Sequence, residues 1–329
     1  MPSPPAADWV RAARRLTEAA ARACVPWIGE HDKNAADAAA VDALRTQLRA
    51  ASLPGTVVIG EGEKDDAPYL APGTHVGASD TDPAVDIAVD PLEGTALVAQ
   101  ERPGALSVLS LAPAGTMLPL GRAFYMEKLI GPPTVRDALA LDAPPRQVVH
   151  DVAASLDVPP SDVRIAVQER PRHDDLAAAL RNAGAQVRLF GEGDLSFALL
   201  ALQPRPRAAE RTNADDRPVD LLWSIGGAPE GMLAAAAQRV LGGSMRLRLA
   251  PRSDAERTRL VADPALPGVL DRTFTAADLV RTDTVAMALT GITDGPLLRG
   301  LRPTNGTDTL VLSPEAGARR ASARPHADA

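Results

Sequence analysis

Aromatic side chains are nearly missing from this chain. They make up 3% of its 329 residues, too few to furnish stacking platforms for nucleic-acid bases. No excess of basic residues compensates. The formal net charge is −7, which disfavours a nucleic-acid surface but not an anionic small molecule, because bound cations and a few arginines can invert a local field. Cys24 is the one cysteine, so no disulfide can form within the chain. Its place on the apolar face of the first predicted helix makes it a packing residue. No apolar run approaches the roughly 18 residues of a membrane span, and the N-terminus has no apolar signal core. Its Arg-rich stretch from Trp9 to Trp27 carries Trp9, Ala13, Leu16, Ala20 and Ala23 at helical spacing, the mark of a docked amphipathic helix. The histidines His31, His75, His150 and His326 have no metal-ligand spacing. These absences point to a cytoplasmic protein with no nucleic-acid or membrane partner. The 45% apolar content is that of a globular chain with enough core for two domains.

What is present is acidic and placed at strand ends. Val85, Ile87 and Val89 alternate with Asp86, Ala88 and Asp90, the period of a strand. Pro91 has a fixed φ and no N–H, so the strand is expected to stop there. Glu93 follows in a tight turn, then Gly94-Thr95 opens a helix whose N–H groups would face an anion. Carboxylates beside a phosphate cradle repel phosphate unless cations lie between them. Mg²⁺ or Mn²⁺ suits such hard oxygen donors. A second segment repeats the pattern. Thr56-Val57-Val58-Ile59 is a β-branched run that leads into Gly60-Glu61-Gly62-Glu63-Lys64-Asp65-Asp66. Crowded carboxylates raise one another's pKa, and a cation relieves the repulsion. Together the two segments predict metal-assisted phosphate-ester hydrolysis.

Helices are expected over about 8–25 and 37–51, and further strands over 105–112, 117–120 and 122–130. From about residue 145 the pattern becomes strand–helix alternation. Helices are expected over 148–156, 174–182 and 194–202, and strands over 163–167, 186–190 and 219–225. The last strand turns through Gly226-Gly227-Ala228-Pro229-Glu230-Gly231 into a helix. Alternation of this kind predicts an α/β fold with parallel strands, with ligands beyond their carboxyl ends. The expected organisation is an N-terminal metal- and phosphate-binding lobe over 1–145 and a C-terminal sugar-binding lobe over 146–315. A disordered tail is expected over 316–329, with a solvated insertion over 204–218.

The ordered blocks resemble class II fructose-1,6-bisphosphatases, some of which also hydrolyse sedoheptulose-1,7-bisphosphate, within the lithium-sensitive metal-dependent phosphatases. The blocks are Asp32-Lys33-Asn34-Ala35-Ala36-Asp37, Val58-Ile59-Gly60-Glu61-Gly62-Glu63 with Asp65-Asp66-Ala67-Pro68, and Val85 through Thr95. They continue with Tyr125-Met126-Glu127-Lys128-Leu129, Arg170-Pro171-Arg172-His173-Asp174, Gly226 through Gly231, and Thr290-Gly291-Ile292-Thr293. The resemblance implies an alternating helix/sheet sandwich of two lobes with the active site between them. It also implies a homodimer or homotetramer and at least two Mg²⁺ or Mn²⁺ ions per site. By matching position, Asp37 and Glu61 would hold one cation, and Asp90, Glu93 and Glu230 another. Asp65 and Thr95 would line the attacking water. Glu93, Gly94, Thr95, Tyr125, Arg170, Pro171, Arg172, Glu192, Gly193, Asp194 and Gly227 would contact the sugar bisphosphate.

Two blocks depart from the pattern. Arg170 stands where lysine is expected, and Glu192-Gly193-Asp194 where Asp-Gly-Asp is expected; both changes keep the charge and reshape the side chain. Asp65 is the expected general base, with the Thr95 hydroxyl as relay. Arg172, Arg170 and Lys128 are the candidate cations for the distal phosphate, and a structural role is expected of His173. The expected reaction is release of the 1-phosphate of fructose-1,6-bisphosphate, serving gluconeogenesis or a Calvin-type cycle. The rival readings are a phosphatase of inositol phosphate or a nucleotide 3′-phosphate, and a phosphosugar sensor without catalysis.

Overall fold

The structure is a computed structural model that describes residues 6–51, 53–60, 70–77, 84–121, 123–204, 219–263, 266–301 and 306–323. Two compact units account for it. One comprises Met1–Leu120 with Leu279–Ala329, and the other Gly121–Asp278. The chain thus leaves the first unit near residue 120 and returns to it at 279, whereas the sequence placed a single boundary at 145.

The first unit is built on a seven-stranded sheet. Its strands are β1 (Gly55–Ile59), β2 (His75–Val76), β3 (Val85–Glu93), β4 (Leu106–Pro113), β10 (Ala286–Gly291), β11 (Thr307–Ser313) and β12 (Gly317–Ala323), in the order β12-β11-β10-β4-β3-β1-β2. Only β1 and β3 run parallel; the other neighbours are antiparallel. Two helices, α1 (Ala6–Cys24) and α2 (Lys33–Ala50), join Val85, Ile87, Val89, Leu109, Leu111, Ala286 and Ala288 in one core. Side chains alternate along a strand, so Asp86, Ala88 and Asp90 of β3 take the opposite face. The apolar stripe of α1 buries Trp9, Ala13, Leu16 and Ala20 as its spacing predicts, and it ends on Cys24 instead of Ala23. Full burial of Leu16 contributes about 1.5–3 kcal/mol.

Two expectations about this unit are corrected. The strand does not stop at Pro91. β3 continues to Glu93 through an irregularity between Asp90 and Glu93. The bulge takes Pro91 out of the ladder, so its missing N–H costs no hydrogen bond. Residues 317–323 are not a disordered tail either. They form β12, paired with β11 from Thr307↔Ala323 to Ser313↔Gly317. The expected strand over 117–120 reduces to a single bridge, Met117↔Val280.

The second unit carries a five-stranded sheet of β5 (Tyr125–Gly131), β6 (Arg164–Gln168), β7 (Gln186–Phe190), β8 (Leu221–Gly227) and β9 (Ser244–Leu249), in the order β7-β6-β8-β5-β9. β6 runs parallel to β7 and β8, as strand–helix alternation predicts, but β5 is antiparallel to both β8 and β9. The sheet is therefore mixed. Helices α4 (Pro145–Leu156) and α5 (Asp174–Asn182) pack on it through Val148, Val149, Val152 and Leu180, against Ile165, Val167, Leu221 and Trp223. Helices α6 (Asp194–Leu202) and α7 (Ala228–Leu241) pack together and on β5 and β8. α7 buries an unbroken run from Gly231 to Ala237. The fold class is α/β in both units.

Candidate active site

In the first unit the named residues lie at the carboxyl ends of two parallel neighbours. The register of β1 against β3, Gly55↔Val85 through Ile59↔Ala88, brings Gly60 to the end of the sheet from which Asp90 emerges. A Cβ on Gly60 would stand 2.1 Å from the Leu70 carbonyl oxygen. The segment's two ends are therefore closed tightly, in a way that only glycine permits. Glu61 and Asp65 lie between them, outside the described residues. Asp90 is half-buried, and its Oδ1 accepts from Leu92 N at 3.0 Å, holding the bulge. Glu93 is buried. Gly94 follows at φ +86°, the left-handed region that favours glycine, and a Cβ there would meet Leu97 Cδ1 at 2.8 Å. Thr95 then opens α3 (Thr95–Ala99), and both Gly94 and Thr95 are half-buried.

Asp37 enters from α2. Asp32 caps that helix, its Oδ1 accepting from Ala35 N at 2.9 Å. The loop before it is tied to α3 by Gly29 N donating to Val98 O and His31 N to Ala99 O, both at 2.9 Å. Asp37 is half-buried in the second turn. Among the described residues, which include Asp37, Asp90, Glu93 and Glu230 but not Glu61, Glu63, Asp65 or Asp66, no three His, Cys, Asp or Glu side chains form a group that could hold a metal ion.

In the second unit the named residues gather around the ends of β5, β6 and β8. Arg172 donates from Nε and Nη2 to Ile225 O at 3.1 and 2.7 Å, and from Nη2 to Gln168 Oε1 at 2.8 Å. Its Nη1 makes no hydrogen bond among the described residues, and its guanidinium lies 5.7 Å from the centre of the Tyr125 ring. Burial, then the nearby Arg252, lower the Arg172 pKa from its ordinary value. Arg170 and Glu192, the two departures noted above, face each other at 3.8 Å. The changed residues thus form one ion pair. Pro171 starts the single 3₁₀ turn that carries Arg172 and His173.

His173 is structural, as expected. It is 2% exposed. Its Nε2 accepts from Ile225 N at 2.8 Å, so its Nδ1 carries the proton and donates to Gln168 O at 2.8 Å. Burial, opposed by that backbone bond but reinforced by Arg172, Arg252 and Arg170, lowers its pKa. The neutral ring stitches β8 to the end of β6.

Lys128, a candidate for the distal phosphate, is instead turned inward. It is 1% exposed, with Nζ 2.8 Å from Asp194 Oδ2. Gly193, at φ +86°, precedes Asp194 at the start of α6. A Cβ on Gly227 would fall 1.8 Å from Glu230 Oε2, so the carboxylate of Glu230 rests directly over Gly227. Sequence reasoning missed Arg252. Ala250 N donates to Tyr125 O at 3.0 Å, and the buried Glu256 carboxylate accepts from Phe124 N and Arg252 N at 2.9 and 2.8 Å. The backbone of Arg252 is thereby fixed, and its charge acts on Arg172 and His173. Only its position between Pro251 and the Ser253 cap could have marked it in the sequence.

Comparison with known proteins shows the family of the chain. The profile of bacterial, glpX-encoded fructose-1,6-bisphosphatases matches residues 8–326. Fructose-1,6-bisphosphatase 1 class 2 of Escherichia coli (strain K12) is 38% identical over 311 residues, covering 91% of this chain and 89% of that protein. The class 2 fructose-1,6-bisphosphatase of Shigella flexneri matches at the same identity and coverage. A solved inositol monophosphatase from Anabaena (Nostoc) sp. PCC 7120 aligns at 15% identity with a TM-score of 0.34, covering 60% of this chain and 72% of that one, too distant to inform the chemistry here. The chain belongs to the bacterial class 2 fructose-1,6-bisphosphatase family.

Proposed function

We propose that this protein hydrolyses the 1-phosphate of fructose-1,6-bisphosphate, giving fructose 6-phosphate and phosphate. The observation that carries the reading is the family match over residues 8–326, joined to 38% identity over 91% of the chain. The substrate then belongs to gluconeogenesis or a Calvin-type cycle.

The donor set supports two divalent cations, Mg²⁺ or Mn²⁺. All the donors are carboxylate oxygens, and Glu230 is seated over a glycine where no Cβ could fit. Asp37 and Glu61 would hold one ion and Asp90 and Glu93 the other, with Glu230 a further carboxylate donor to a cation. Such ions supply charge neutralisation at the phosphoryl oxygens and the leaving alkoxide. The protein's own groups orient and move the proton. Asp65 takes it from the attacking water, with the Thr95 hydroxyl as relay. The left-handed turn at Gly94 lets backbone approach the phosphoryl group closely. Arg172 offers its Nη1 to the distal phosphate, and Arg170, paired with Glu192, stands at the same end of the sheet. Tyr125, Gly193, Asp194 and Gly227 frame the sugar. No helix among the described residues is long and apolar enough to cross a membrane. We read the protein as cytoplasmic and as a homodimer or homotetramer.

Assay of the purified chain with fructose-1,6-bisphosphate and Mn²⁺, followed by enzymatic detection of fructose 6-phosphate, tests the reading. Stoichiometric fructose 6-phosphate is expected. Fructose 1-phosphate as product would place the cleavage at the wrong ester.

A further inference from the structure

A lysine with 1% exposure is unusual, because burying an ammonium costs several kcal/mol unless it is paired and hydrogen-bonded. Lys128 is both. It projects from β5, opposite Ser224 of β8. Its ammonium makes a charge contact with Asp194 Oδ2, the first residue of α6. It also donates to the carbonyl of Gly227 at 2.5 Å. Three elements therefore meet on one cation: β5, the start of α6, and the β8–α7 turn. The backbone of that turn is shaped to fit. A Cβ on Gly226 would lie 2.2 Å from Asp194 Oδ2 and 3.0 Å from Lys128 Nζ. The next residue, Gly227, is the one under the carboxylate of Glu230.

We infer that Lys128 is a positioning residue: clamped by Asp194, it fixes the Gly227 carbonyl and so holds the turn on which the Glu230 carboxylate is seated for a divalent cation. The inference rests on the metal reading of Glu230 given above. It assigns Asp194 a load inside the protein in addition to any contact with sugar. A lysine held only for stability would be replaceable by an apolar pair of like volume, because buried ion pairs are often matched or exceeded in stability by such pairs. A positioning lysine is not replaceable in that way, since no apolar side chain can donate to the Gly227 carbonyl.

The test compares the whole chain with Lys128→Met, Lys128→Met/Asp194→Leu, Glu230→Gln and Lys128→Met/Glu230→Gln. Mn²⁺ affinity is measured by calorimetry on metal-stripped protein, and Tm with and without Mn²⁺. Lys128→Met is expected to weaken Mn²⁺ binding about 10-fold and to shrink the Mn²⁺-induced rise in Tm. The Lys128→Met/Asp194→Leu protein is expected to regain the metal-free Tm of the wild type while staying weak for Mn²⁺. Adding Lys128→Met to Glu230→Gln is expected to cost no further affinity, since both act on one ligand. Wild-type Mn²⁺ affinity in the apolar-pair variant, or full additivity with Glu230→Gln, overturns the inference and leaves the metal reading standing. Failure of the wild type itself to bind Mn²⁺ would remove the metal reading and this inference together.

Discussion

His173 sits three residues from Arg170 and next to Arg172, yet its chemistry is that of a strut. Both ring nitrogens are engaged by backbone, which fixes one neutral tautomer. Burial keeps its folded pKa below the ordinary value. The unfolded chain therefore binds more protons there, so this residue's contribution is complete above about pH 6.5 and is lost as pH falls below it. Stability measured by urea unfolding should drop between about pH 7 and 5 by up to roughly 1.4 kcal/mol per pH unit from this residue. His173→Gln should start less stable and show a shallower slope over the same window. The acidic residues give sharper functional expectations. Asp65→Asn should bind metal and substrate normally while turnover falls by about 10²-fold or more; near-normal turnover would move the base elsewhere. Asp90→Ala should lose bound Mn²⁺ in equilibrium dialysis and nearly all activity, because Asp90 is both the bulge's acceptor and a proposed ligand. A fully active Asp90→Ala protein would contradict its place in the metal site.

At the scale of the element, β3 and the turn after it concentrate the chemistry. A strand that ends in a bulge re-aims its last side chains, and here those are Asp90 and Glu93. Gly94 completes the turn at φ +86°. Gly94→Ala must hold alanine in the left-handed region and press a Cβ on Leu97, which should cost about 1–2 kcal/mol and lower kcat, both readable in one unfolding and kinetic series. Much of this element was legible in the sequence. The alternation of Val85, Ile87 and Val89 with Asp86, Ala88 and Asp90 is a local property, and so are the bounds of Asp174–Asn182, Gln186–Phe190 and Asp194–Leu202. The continuation past Pro91 was not legible, because it depends on the register against β4. Nor was β12. Gly-Ala-Arg-Arg-Ala-Ser-Ala has no apolar period, and it is a strand because β11 offers it a partner. The burial of Lys128 did leave a trace. It shares parity with Met126 and Ile130, both buried, which sets it on an inward face of β5.

For the whole molecule, the family, the fold class and the acidic segments could be read from residue order. The boundaries could not, since a chain that leaves a unit at residue 120 and re-enters at 279 shows no change of composition at either point. The strand directions in the second unit were only half legible. Alternation announces βα units, whereas β5, the one strand that runs against the others, is inserted between β8 and β9 from far earlier in the chain. A net charge of −7 also makes bound cations central to drawing in a bisphosphate. The most direct measurement is inorganic phosphate release by the purified chain from fructose-1,6-bisphosphate, inositol 1-phosphate and a nucleotide 3′-phosphate. Each is assayed with Mg²⁺, with Mn²⁺, and after chelation. The account predicts release from the sugar bisphosphate alone, abolished by chelator and restored by returning the metal. Release that persists at full rate in excess chelator, or turnover of every ester except the sugar bisphosphate, would contradict it.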